Sequence, residues 1–248
     1  MEVHHHPHVE KKGFKEYFLE FLMIFLAVTL GFVAENLREH FSNKSKETEY
    51  IAGFINNLKD DTAFLKHVIA FDSVQVKGVD SMLLLAHADL KVDSNVKTFY
   101  HRAFKCFFNS SLFKSNDATL QQLKSTGDYR LIERDHVADS LTKYDADTKS
   151  VYSQGDYYLG YFNEILSRLD DMTDNTILTD TAFVKNGKWT SNKLPLLRDD
   201  GNKLPTFFNK VFDFRIITSS YADYNLKPLL DYAVRLIEFL KKKYEIEV

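Results

Sequence analysis

Four histidines crowd the first eight residues: His4, His5, His6 and His8, interrupted by Pro7. Neutral imidazoles bind zinc, nickel or copper, and four within five positions carry enough donors to chelate one ion. A chelate also needs fixed geometry, and neither a cysteine nor a convergent carboxylate accompanies them. The cluster reads as a solvated or headgroup-facing terminus that gains positive charge near about pH 6. No metal is assigned, these four being the weak candidates for one, and no cofactor is expected. His67, His87, His101 and His136 are scattered and read as surface or satisfied histidines. The single cysteine, Cys106, sits among Phe104, Phe107 and Phe108 and reads as a buried thiol, not a nucleophile.

Acidic doublets occur at Asp60-Asp61, Asp170-Asp171 and Asp199-Asp200. Helical neighbours point about 100° apart, so a doublet is not a paired-carboxylate site by itself. Asp199-Asp200-Gly201-Asn202 reads as a turn. The aromatic runs at 104–108 and 157–162 are expected to pack in a core. Phosphate loops, dinucleotide fingerprints, zinc-protease and nucleophile-elbow motifs are absent. No catalytic residue is assigned, and the protein is not expected to be an enzyme.

The elements that carry these residues follow from composition. The 248 residues are 44% hydrophobic, 27% charged and 14% aromatic, a globular balance that excludes wholesale disorder. Nine glycines and four prolines are too few for a protein built on many tight β-turns. A net charge of −3 offers no reason to bind nucleic acid, and one cysteine excludes an internal disulfide framework. What remains is an all-α protein.

Its N-terminal region is unusual. Residues 21–34 contain no charge and one polar side chain, Thr29. Flanking Tyr17, Phe18, Leu19 and Leu37 extend the apolar surface to 21 residues, about 31 Å as a helix, enough to cross a hydrocarbon core of about 30 Å. Phe32 at the −3 position before Ala34 argues against signal-peptidase cleavage. The expectation is a retained single-pass transmembrane helix over 14–38, after a His-rich tail over 1–13 and before an α-helical bundle over 39–248. The basic flanks (Lys11, Lys12 and Lys15 against Arg38, Lys44 and Lys46) differ little, and orientation leans toward a cytoplasmic N-terminus.

One face of that helix stands out. Glu20, Ile24, Ala27, Gly31, Ala34, Glu35 and Arg38 fall within about 60° of one line. Ala27-x-x-x-Gly31 is a small-xxx-small pattern that lets backbones approach where lipid gives no hydrophobic drive. Ionisable groups in membrane segments face protein or water, so this stripe is expected to be an oligomer interface, with a pore lining as the alternative.

Downstream, Tyr50, Ile51, Phe54, Ile55, Leu58, Phe64, Leu65 and Val68 mark an apolar helix face, continuous with the membrane helix because no proline intervenes. Further helices are expected over 74–90, from Ser94, over 118–126 with an Asn116 or Asp117 cap and a Gly127 stop, and from an Asp135 cap to Leu169. Asn186-Gly187-Lys188-Trp189 reads as a tight hairpin in a polar stretch. A final helical pair begins at Thr206 and turns around Pro228, ending on Lys241-Lys242-Lys243.

The opening HHHPHVEKKGFKEYFLEFLMIFLAVTLGFVAE, with ATLQQLKSTGDYRLI at 118–132, resembles a family of uncharacterised membrane-anchored proteins from Bacteroidota. The resemblance implies a membrane helix before a helical domain and a place in a bacterial inner membrane. It transfers no activity or site residue. The expected partners are the lipid bilayer, further copies of the chain and other membrane proteins, with no nucleic acid. The expected role is a homo-oligomeric structural or interaction module; the alternative is a homo-oligomeric ion channel.

Overall fold

Helix α1 runs from Phe14 to Leu83, 70 residues that contain no proline and only isolated glycines. The structure, a computed structural model, describes residues 13–246. It divides into two units, residues 1–50 and 51–248, with the boundary inside α1. In the first unit α1 opens with the Glu16 carboxylate accepting from the Gly13 N–H at 3.0 Å, which satisfies a donor that the helix cannot. Thr29, the lone polar residue of the apolar run, donates its hydroxyl to the Phe25 carbonyl at 2.8 Å and leaves nothing unpaired toward the surroundings.

From Ile51 onward α1 changes character. Ile51, Phe54, Leu58, Asp61, Leu65, Val68, Asp72, Gln75, Val79 and Met82 alternate in steps of three and four, and all are buried. This is the seam of a helix packed in a bundle. The other members are α2 (Asp93–Phe107), α3 (Ala118–Thr126), α4 (Val137–Met172), α5 (Lys203–Tyr221) and α6 (Lys227–Tyr244). Contacts fix their directions. Asp61 meets Tyr144 and Gln75 meets Tyr158, so α1 and α4 run parallel. Asp80 meets Arg215, and Tyr232 meets Ser140, so α5 and α6 run against both. The α2–α3 pair descends between α1 and α4, giving an up-down-up-down bundle whose second member is broken. Phe99, Phe107, Tyr158, Phe162, Phe207 and Phe214 fill its core. The aromatic runs are therefore core, except that Phe108 and Tyr157 are exposed.

Several boundaries differ from the sequence reading. The segment 74–83 belongs to α1, and residues 84–90 form short turns with Leu85, Ala86 and Ala88 N–H groups each bonded three residues back at 3.0 Å. Phe64 is 37% exposed and packs sideways on Phe113, at the edge of the apolar face. Asp117 precedes α3 without capping it, because Asn57 of α1 accepts from the Thr119 N–H at 3.1 Å instead. Gly127 ends α3 at φ 73°, where a Cβ is unwelcome. His136, not Asp135, precedes α4, in the left-handed region at φ 64° and without a side-chain cap. Helix α5 begins at Lys203, before Thr206, because Pro205 in a first turn removes an N–H that has no helical partner anyway. The hairpin forms as read: β1 (Val184–Lys185) pairs with β2 (Lys188–Trp189) through Asn186 at φ 51° and Gly187 at φ 72°. Trp189 stacks on Phe104 at 5.7 Å.

Pro228 shapes the last junction. It has no N–H for the Tyr224 carbonyl, and its ring would strike that carbonyl in a regular helix. The chain widens instead into a π-helical turn, Ala222–Leu226, with the Lys227 N–H reaching the Ala222 carbonyl.

Candidate functional site

Two regions carry unusual chemistry, one in each unit. In the first, all seven stripe residues lie on α1. Glu35 and Arg38 are joined to each other, Nε to Oε2 at 2.9 Å and Nη2 to Oε1 at 2.5 Å, so their charges cancel within one turn. Ile24 is 66% exposed, and a Cβ built on Gly31 meets nothing within 4 Å. Ala27 and Ala34 are exposed too, and Glu20 is half-buried. The stripe residues are spaced along one helix, and Glu35 and Arg38 are in direct contact. The most apolar 18-residue window of α1 has no residue buried by protein. His4, His5, His6 and His8 lie outside the described residues. Among the described residues no group of three His, Cys, Asp or Glu side chains is placed to hold a metal. His67, His87, His101 and His136 are exposed, while Cys106 is buried with its thiol pushed up by burial.

The second region is the waist of the bundle, where three polar residues occupy core positions of the α1 seam. Here the break between α2 and α3 leaves backbone groups that helices normally pair. Gln75 donates its amide to the Cys106 and Asn109 carbonyls, each at 3.3 Å, at the C-terminal end of α2. Asp61 accepts from the Asn116 N–H at 2.6 Å and from the Ser115 hydroxyl at 2.5 Å, ahead of α3. Its third donor is the Tyr144 hydroxyl at 2.7 Å, whose own ionisation is driven up by burial and by the Asp61 charge. Tyr158 donates to Gln75 Oε1 at 2.6 Å. Asp61 and Gln75 thus stitch a broken helix together.

Asp72 lies between them and has no such task. It is completely buried, and neither carboxyl oxygen has a hydrogen-bond partner. Burial pushes its carboxyl up to about 7. Its charge is felt by the Tyr158 and Tyr221 hydroxyls, both already raised by burial. A groove of about 350 Å³ runs past it, lined by Ser73, Val76, Ser219 and Ala222 at the start of the π-helical turn. Sequence reasoning passed over Asp72 and Gln75 and saw Asp61 only as half of a doublet. The detectable signal was register: 61, 72 and 75 continue the three-four spacing of Ile51, Phe54, Leu58, Leu65 and Val68.

A cavity of about 830 Å³ opens elsewhere on the bundle between Leu90, Leu196, Leu204, Pro205 and Phe208, with His87 at its edge. Together these features define an all-α protein with, among the described residues, one helix long and apolar enough to cross a membrane. No family model matches the chain, and no match was found among curated proteins or solved structures.

Proposed function

We propose that the protein is a single-pass, membrane-anchored helical protein whose anchor self-associates through the Glu20, Ala27, Gly31 and Ala34 face, and whose bundle acts as an interaction module. One observation carries the anchoring. Of the 26 large apolar side chains exposed among the described residues, 15 lie within residues 14–41. A water-soluble surface does not sustain such a patch, whereas lipid does. The unit over 51–248 meanwhile buries its own apolar seam, so it does not need these residues to complete a core. A bacterial inner membrane with the N-terminus on the cytoplasmic side is the proposed setting.

The test is the native mass of the detergent-solubilised full-length protein beside a variant lacking residues 1–43, together with alkaline extraction of membranes. The full-length chain is expected to resist extraction and form a defined oligomer, and the shortened chain to be soluble and smaller. Gly31→Leu and Ala27→Leu should weaken the oligomer and leave the bundle folded. Unchanged mass in both variants would overturn self-association through this face. Current through reconstituted bilayers, altered by Glu20→Gln, would replace the structural module with a pore.

A further inference from the structure

Of the seam residues with polar side chains, Asp61 and Gln75 hold backbone ends of α2 and α3, and Asp72 alone holds nothing. A carboxylate without a hydrogen bond is costly to bury, and the protein's cheapest remedy is to keep it protonated. Its surroundings are also irregular. Next to it the α5–α6 element widens into the π-helical turn, and α2 and α3 are separated by the connector at 108–117.

We propose that Asp72 is a proton switch at the waist of the bundle: its carboxyl is neutral in acid while α1, α4 and the α5–α6 element close around it, and its ionisation loosens that packing. In the step the Asp72 O–H bond breaks, the proton passes to water admitted along the groove, and the carboxylate becomes hydrated. The surrounding groups leave the charge uncompensated in the closed form. From α4 comes Tyr158, whose hydroxyl is committed to Gln75. From the end of α5 comes Tyr221, a neutral phenol, and the α2–α3 connector contributes the Phe113 backbone to that same hydroxyl. Arg215 of α5 is bound to Asp80 at 2.7 Å, and Lys227 to Asp223 of the π-helical turn at 2.6 Å. Lys77 of α1 stands on the exposed side, beside an exposed Ser73.

The sign follows from linkage. A carboxyl held near 7 when folded and near its ordinary value of 3.8 when exposed binds more protons in the closed state across that window. Closure is therefore strongest in acid and weakens as pH rises from about 4 to about 7, with little further change above.

The experiment is hydrogen-exchange mass spectrometry on the full-length protein in dodecyl maltoside, corrected for intrinsic rates. Protection of peptides covering 69–76 and 218–228 should fall on the order of a hundredfold between pH 5 and pH 8, and Asp72→Asn should abolish that fall. An equal fall in Asp72→Asn, or none in the parent, overturns the proposal. Infrared titration of the parent keeps the test decisive should the variant not fold. A protonated buried-acid band present at pH 5 and lost by pH 8 supports the switch, and its absence at pH 5 overturns it.

Discussion

The two stretches of α1, residues 14–50 and 51–83, share a backbone and almost nothing else. In the first, Phe21, Phe25, Leu26, Leu30 and Val33 point outward on several sides and stay exposed. In the second, most large apolar side chains gather on one buried seam, Phe64 and Val74 being exposed exceptions, while Lys59, Lys66 and Lys77 occupy other faces. Helix propensity does not distinguish them; the distribution of apolar side chains around the axis does. An all-round apolar helix is stable only in an apolar surrounding, and a one-sided helix only against a partner. The same secondary structure is thus compatible with a membrane span in one unit and packs against protein in the other.

The sharpest way to break that contrast is a matched pair of truncations. Phe99 is fully buried, with its ring 5.5 Å from Phe207 and 6.3 Å from Phe208. Phe99→Ala should cost about 3–5 kcal/mol of bundle stability in chemical denaturation. Phe25→Ala, on a side chain 54% exposed, should leave that transition where it was. Comparable losses would mean that the N-terminal stretch packs on protein after all.

Next comes a charge in the middle of the apolar run. Leu26→Arg should disfavour insertion by about 3–4 kcal/mol and move most of the protein from the alkali-resistant membrane fraction to the soluble one. Retention in the membrane fraction would remove the assigned span. Asp61→Ala tests the opposite surrounding. It strands the Ser115 hydroxyl, the Asn116 N–H and the Tyr144 hydroxyl in a buried place, and should lower bundle stability by about 2–4 kcal/mol. A loss below about 1 kcal/mol would show that water replaces the carboxylate and that the α2–α3 break does not depend on it.

Much of this was legible from spacing alone. The apolar seam from Ile51 to Val68, the Gly127 stop and the Asn186-Gly187 turn each carry a local cause, so each could be read before any contact was known. The misread boundaries had causes distant in sequence. Thr119 is capped by Asn57, 62 residues away, so inspecting Asp117 could not reveal it. The π-helical turn needs Pro228 and an otherwise continuous α5–α6 element together, while Pro228 alone reads as a break between helices. Asp72 was invisible for a different reason. A lone acidic residue is read as solvated by default, even between Phe71 and Val74, and only the register of the whole seam turns it inward.

The smallest contrast uses the glycines of α1. Alanine is favoured over glycine in a helix by about 1 kcal/mol in water, so either substitution would stabilise the helix if nothing else intervened. At Gly31 a new Cβ meets no atom of the chain within 4 Å, and at Gly78 it falls 2.6 Å from Cys106 Sγ. Cys106 is buried among core residues and is short, so its sulfur has little room to yield. Gly78→Ala should therefore be net destabilising by roughly 1–2 kcal/mol despite its better propensity. Cys106→Ala alone opens a small cavity, but in the double variant the new methyl enters space the sulfur left. The pair should then lose less than the sum of the single changes, a coupling that a double-mutant cycle reads directly. Gly31→Ala should leave bundle stability unchanged and act only on the association of full-length chains, since a methyl there can meet only another molecule. Additive losses at Gly78 and Cys106 would place their contact outside the energetics of the bundle. A bundle destabilised by Gly31→Ala would end the separation of the two stretches.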